Sequence, residues 1–111
     1  MNEIFLLVAC LGALSVILGI PLYLQKIKPN YIYGYRTRRT LSDERIWYAA
    51  NKYFAKLFII SGIVTTSASL ILFLIATNID IIITNLLLVL IVALPLAVSI
   101  IMTERYIRGL K

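Results

Sequence analysis

Residues 30–51 read NYIYGYRTRRTLSDERIWYAAN, the one long stretch of this chain that apolar residues do not dominate. Gly34, Arg36, Thr37, Thr40, Trp47 and Asn51 stand there among the alternating tyrosines Tyr31, Tyr33 and Tyr35. Apolar runs lie on both sides, at 4–24 before it and at 54–76 and 81–102 after it, with Lys56 as their single charge. About 20 such residues cross a hydrocarbon core of about 30 Å. A soluble helix of that length keeps a polar face, whereas 61% of these 111 residues are hydrophobic. The expected fold is therefore all-α and integral to a membrane, with three transmembrane helices in a single domain, 1–111. The first crossing is placed at about 4–24, the second at about 54–76 and the third at about 81–102. The second helix is expected to extend into the cytoplasm. An ordered cytoplasmic loop and helix start occupy 25–53, and a basic tail occupies 103–111.

Charge sets the orientation. Three crossings put the N-terminus and the 77–80 turn on one side, and the central stretch and tail on the other. All 11 lysines and arginines fall on the second side, at Lys26, Lys28, Arg36, Arg38, Arg39, Arg45, Lys52, Lys56, Arg105, Arg108 and Lys111. Positively charged flanks stay inside, so the reading is an external N-terminus and a cytoplasmic C-terminus in a bacterial cell membrane. The first run lacks a basic leading segment, since Met1-Asn2-Glu3 carries only an acid, and reads as a retained crossing rather than a cleaved signal. Cys10, the single cysteine, sits within it and has no internal disulfide partner.

Within the first helix Gly12, Ser15 and Gly19 share a face, and small residues at such spacing let another helix approach. Pro21 can kink or end that helix, and Tyr23 suits headgroup level. Pro29 disfavours helix at Lys28, and Gly34 permits a turn closed to other residues; that turn is expected to fold Arg36 back to Trp47 and Asn51, the three forming one cluster. The three tyrosines are expected to pin the loop to headgroups, with a short strand as the alternative. A helix is expected to start near 41–43, capped by Thr40 or Ser42 with Asp43 and Glu44 in its first turn, and to run unbroken to about 76. Wound at about 100° per residue, it lines up Trp47, Asn51, Phe54, Phe58, Ser61, Thr65 and Ser69. Arg45, Lys52 and Lys56 collect opposite, facing headgroups or water. Asn78 or Asp80 can cap the third helix. There Asn85, Val92, Leu96, Ser99 and Thr103 share a face expected to turn inward, with Asn85 needing an interhelical or water partner. Pro95 releases the carbonyl of Ile91 and is expected to bend the helix.

Little catalytic chemistry is available. There is no histidine, one thiol, and no nucleophile–base set, phosphate loop or metal-ligand spacing. None of the crossings carries an obvious coupling charge for proton transport. No enzyme activity, metal or cofactor is expected. The arginines at 36, 38 and 39 lie beside membrane segments, which favours topology and anionic headgroups over direct nucleic-acid contact.

The residues Asn30, Tyr33-Gly34-Tyr35-Arg36-Thr37, Thr40-Leu41, Trp47 and Ala50-Asn51, with one crossing before them and two after, resemble the C-terminal three-helix module of the SdpI family. These membrane proteins are named for immunity to the SDP killing peptide of sporulating bacilli. Arg38 departs from the family pattern, which has proline there. The resemblance implies immunity to a membrane-active peptide and signalling through a cytoplasmic repressor held at the membrane. The loop residues then either bind a partner or lock the loop onto the bundle. A second class stays open at this point: a homo-oligomeric transporter or channel, its pore lined by Asn85 and the Ser61–Thr65–Ser69 face. The orientation is tested by cysteine labelling of intact cells in a Cys10→Ser background. A membrane-impermeant reagent is expected to label Asn2→Cys and spare Tyr35→Cys; the reverse pattern would invert the topology.

Overall fold

A computed structural model describes residues 2–110. Met1 of the leading segment and Lys111 of the basic tail lie outside the described residues. The elements are α1 (Asn2–Tyr23), α2 (Arg38–Ser42), α3 (Glu44–Ile75), a 3₁₀ turn (Ala76–Asn78) and α4 (Ile81–Arg108). Helices α1, α3 and α4 are long and apolar enough to cross a membrane, and the chain is a multi-pass membrane protein. The molecule measures 52 × 23 × 19 Å. Its axis is α3, which packs against both α1 and α4, while those two barely meet each other. The 32 residues of α3 span about 48 Å at 1.5 Å per residue, more than a hydrocarbon core of about 30 Å requires. Most leucines and isoleucines of the spans point outward, Leu6, Leu74 and Ile82 among them, which is the arrangement a lipid solvent favours.

Close approach of α1 to α3 rests on glycine. A Cβ added at Gly12 would lie 2.6 Å from the carbonyl oxygen of Gly62, and one added at Gly62 would lie 2.4 Å from the carbonyl oxygen of Gly12. The two backbones touch there, and Thr66 donates across the seam to the Ala9 carbonyl at 3.3 Å. Gly19 lies against Ile59 further along the same pair.

Hydroxyls join α3 to α4. Ser61 and Ser99 share a hydrogen bond of 2.8 Å, and Ser99 also donates to the Pro95 carbonyl at 2.8 Å. Proline at 95 has no N–H for the Ile91 carbonyl; Thr65 supplies the missing donor at 3.2 Å. Ser69, fully buried, bonds its own helix at the Thr66 carbonyl.

Two expectations about the helices are corrected. The second helix starts at Glu44, one residue past the expected 41–43, but its cap is Asp43 and not Thr40 or Ser42. Residues 38–42 form a helix of their own, α2, whose N-cap is Thr37: its side chain accepts from Thr40 N–H while Thr37 N–H donates to the Thr40 hydroxyl at 2.7 Å. Asp43, extended at φ −143°, then ends α2 and caps α3 by accepting from Arg45 N–H. One residue serves as stop and start because an aspartate side chain replaces a helical acceptor only when its own backbone leaves the helix. The other correction concerns Asn85, which is exposed rather than turned inward. The buried face of α4 is Thr84, Leu88, Ser99, Thr103 and Ile107. Its steps are four residues from Thr84 to Leu88 and from Ser99 to Ile107, with eleven residues between Leu88 and Ser99. These exceed whole helical turns, so the face slants around the helix and the winding carried back from Ser99 reached the wrong neighbour. Val92 is half-buried and Leu96 lies at the edge of the exposed face.

The backbone contact at the crossing of α1 and α3 gives a direct test. Gly12→Leu must push Gly62 backbone aside, so it is expected to destabilise the α1–α3 pair by about 1–3 kcal/mol, the usual range for overpacking. Reversible unfolding in detergent measures this, and Cys10→Leu, at an exposed position one face away, is expected to be near neutral.

Candidate functional site

The loop between α1 and α3 folds down onto the first turns of α3, and the anchor is Asn51. Its Oδ1 accepts from Tyr35 N–H at 2.6 Å, while its Nδ2 donates to the Tyr35 carbonyl at 3.3 Å and to the Trp47 carbonyl at 3.0 Å. The side-chain amide thus pairs with the backbone of one residue in both directions, and its remaining N–H bonds its own helix. Asn51 is 2% exposed, so each of these groups would carry a desolvation cost if left unpaired.

Gly34 makes that pairing reachable. Its φ of +119° is a conformation L side chains rarely adopt, and a Cβ there would sit 2.8 Å from Asn51 Oδ1 and 3.1 Å from the Trp47 ring. Trp47, fully buried, fills the space under the glycine and donates its indole N–H to the Ile27 carbonyl at 2.9 Å. On the approach to the turn Asn30 accepts from the N–H groups of Ile32 and Tyr33 at 2.9 and 2.7 Å and donates to the Lys28 carbonyl at 2.8 Å. After it, Thr40 is fully buried, and its hydroxyl lies 3.1 Å from the Tyr35 carbonyl. Tyr35 is therefore held from three directions, by Asn51 on both sides of its peptide units and by Thr40.

The loop is also tied to the other two helices. The Tyr33 hydroxyl donates to the Leu18 carbonyl of α1, and the Tyr35 hydroxyl donates to Glu104 of α4. Burial, followed by the hydrogen bond and charge of Glu104, raises the Tyr35 phenol well above its ordinary value, and burial raises Tyr33. Both phenols remain neutral donors at physiological pH. Arg39 donates to the carbonyls of Ile107 and Leu110 at the end of α4, the first of which also accepts from the Leu110 N–H. Beneath the loop, the rings of Tyr35, Phe54 and Phe58 form a column with centroid spacings of 5.1 and 5.2 Å.

The structure brings Asn30, Tyr33, Gly34, Tyr35, Thr37, Thr40, Trp47 and Asn51 into one assembly. Arg36 does not enter the Trp47–Asn51 cluster expected for it. Its side chain is exposed and returns to the Tyr31 carbonyl within the loop; no hydrogen bond among the described residues joins it to Trp47 or Asn51. Tyr33 and Tyr35 bond protein rather than headgroups, and no strand forms among the described residues; Tyr31, 81% exposed, is the outward member. Gly12 and Gly19 lie in the α1–α3 seam, and Ser61, Thr65 and Ser69 lie buried along α3. Asn85 instead lines a groove of about 430 Å³ with Ile4, Val8 and Val92. Sequence reasoning missed Glu104 and Arg39 as loop fasteners. Glu104 is the one acid in the basic end of α4, a signal that could have marked it.

What faces outward from this assembly is an edge of different chemistry. Tyr31 and Ile32 are 81% and 87% exposed, and Arg36 stands beside them with its guanidinium on the Tyr31 carbonyl. Large apolar side chains held out at a rigid turn, flanked by a cation, suit contact with a partner or an interface.

Comparison with known proteins agrees with this assembly's signature. The family model described as the SdpI/YfhL protein family matches residues 26–103, which contain the loop, α2, α3 and most of α4. The chain is similar to the "Uncharacterized protein YfhL" of Bacillus subtilis (strain 168), with 48% identity over 62 residues, covering 55% of this chain and 56% of that protein. The match thus spans little more than half the length of the curated relative. No solved structure matches. The chain belongs to the SdpI/YfhL family.

Proposed function

We propose that this protein acts by binding rather than catalysis, in immunity of the SdpI kind: it protects its cell from a membrane-active peptide and presents its loop edge to a cytoplasmic partner. The observation that carries this reading is the division of labour within the loop. Asn51, Trp47 and Thr40 are buried and have their hydrogen bonds met inside the protein, so they act by holding the loop. Tyr31, Ile32 and Arg36 are left outside it, on a support rigid enough to spare a partner much of the ordering cost of binding. With no histidine and a single cysteine in the chain, binding is the chemistry the residues support best. The cytoplasmic placement of this edge is supported by the one-sided distribution of the basic residues.

The transporter or channel reading asks the Ser61, Thr65 and Ser69 hydroxyls to line a pore. They are buried and bonded within the three-helix bundle, and Asn85 stands on a separate exposed face, which weighs against that alternative.

The test is survival of a sensitive bacterium challenged with an SDP-like killing peptide. Wild-type protein is expected to protect. Tyr31→Ala combined with Ile32→Ala is expected to lower protection at equal membrane levels, since truncating paired anchors weakens a contact on the order of tenfold or more. Trp47→Ala is expected to lower the membrane level itself. Absence of protection by wild type would remove the immunity reading, and undiminished protection by the edge variant would remove the loop edge as its site.

A further inference from the structure

On the side of α3 away from the Trp47–Asn51 seam, a groove of about 450 Å³ opens between the ends of α1 and α4. Tyr23 and Gln25 from the end of α1, Lys52, Tyr53 and Lys56 from α3, and Tyr106 from α4 line it. The groove holds two cations and no acid. Lys52 and Lys56 are four residues apart, so their ammonium groups share one helix face, an arrangement that is mildly repulsive unless an anion lies between them. Both are exposed, and neither makes an ion pair among the described residues.

The surroundings of the lysines are ordered. Lys52 Nζ lies 5.5 Å from the centre of the Tyr23 ring, where the aromatic face attracts a cation. Tyr53 and Tyr106 stack at 4.3 Å and 5°, giving the groove a flat wall that joins α3 to α4. Gln25 holds a positive φ of 59°. It closes α1 with the N–H of Lys26 on the Pro21 carbonyl and its own N–H on the Leu22 carbonyl, both near 3 Å, a turn that usually takes glycine. Those bonds also occupy carbonyls that would otherwise repel an anion at this helix end.

We infer that this groove is a binding site for the phosphate of an anionic phospholipid, held by Lys52 and Lys56 at the basic end of the bundle. The membrane lipid is favoured as the source of the phosphate by what lies below the lysines. On the same face of α3, one and two turns deeper, Ile60 and Ile63 are 48% and 54% exposed, and Met102 is exposed one turn below Tyr106. Cationic above and apolar beneath, the surface matches a headgroup with its acyl chains, which inorganic phosphate cannot do.

Native mass spectrometry of the full chain released from detergent into controlled phosphatidylglycerol and phosphatidylcholine tests this. Wild type is expected to retain one phosphatidylglycerol in preference to phosphatidylcholine. Lys52→Gln with Lys56→Gln is expected to weaken phosphatidylglycerol retention by on the order of tenfold to thirtyfold, the loss expected for two lysines at an anionic surface. Lys52→Arg with Lys56→Arg is expected to keep it, as is Lys28→Gln with Arg38→Gln, which removes equal charge outside the groove. Retention unchanged in the groove glutamine pair, or lost equally in the outside pair, would overturn the site. Full displacement of the lipid by millimolar inorganic phosphate would overturn the lipid as its occupant.

Discussion

Asn51 bonds the peptide N–H and the carbonyl of Tyr35 with one side chain, and the loop end of the molecule depends on that pairing. In a sheet such a pair of bonds comes from a neighbouring strand; here a helix supplies it through an amide. The geometry requires Gly34, because a side chain at that turn would meet both Asn51 and Trp47. With Tyr35 fixed, its phenol reaches Glu104 on α4, and Arg39, carried one short helix further, reaches the end of α4 as well. A single buried amide thus sets the position of the segment that joins α1 to α3 and fastens α4 to both. Removing a partner from such a network leaves the other groups buried and unpaired, which is why its members matter beyond their individual bonds.

Within the spans a different solution operates. Lipid offers no hydrophobic drive for one apolar helix to leave it for another, so association rests on close packing and polar contacts. The α1–α3 crossing uses backbone contact at Gly12 and Gly62, and the α3–α4 crossing uses serine and threonine. Thr65 shows the economy of the second arrangement: the carbonyl that Pro95 leaves without its helical donor receives one from the neighbouring helix. Pro95 thus leaves open the acceptor that an interhelical bond uses.

Three membrane helices were legible because long uncharged runs between charged flanks have few other readings. The role of Pro95 in freeing the Ile91 carbonyl follows from its covalent structure, whereas the identity of the donor depends on which face of α3 lies opposite. Asn85 was misplaced for the same kind of reason: a helical wheel gives neighbours on one helix, but the slant of a packed ridge is set by the crossing. The short helix α2 was missed because Thr37 and Thr40 form a reciprocal cap across residues whose propensities are unremarkable, and because Asp43 ends one helix while starting the next. Arg36 was drawn into the cluster by its hydrogen-bonding capacity, yet the nearby Tyr31 carbonyl took it. The links from residues 35 and 39 to 104, 107 and 110 cross more than half the chain and leave no local signal.

The central claim is that Asn51 holds the loop by bonding Tyr35, and amide hydrogen exchange reads that bond directly. In wild type the Tyr35 amide should be protected well beyond those of exposed loop residues. In Asn51→Leu, which keeps the volume and removes the amide, it should exchange on the order of ten to a hundred times faster, as expected for losing buried hydrogen bonds, while protection in the middle of α1 and α4 is retained. Unchanged exchange at Tyr35 in that variant would contradict the account.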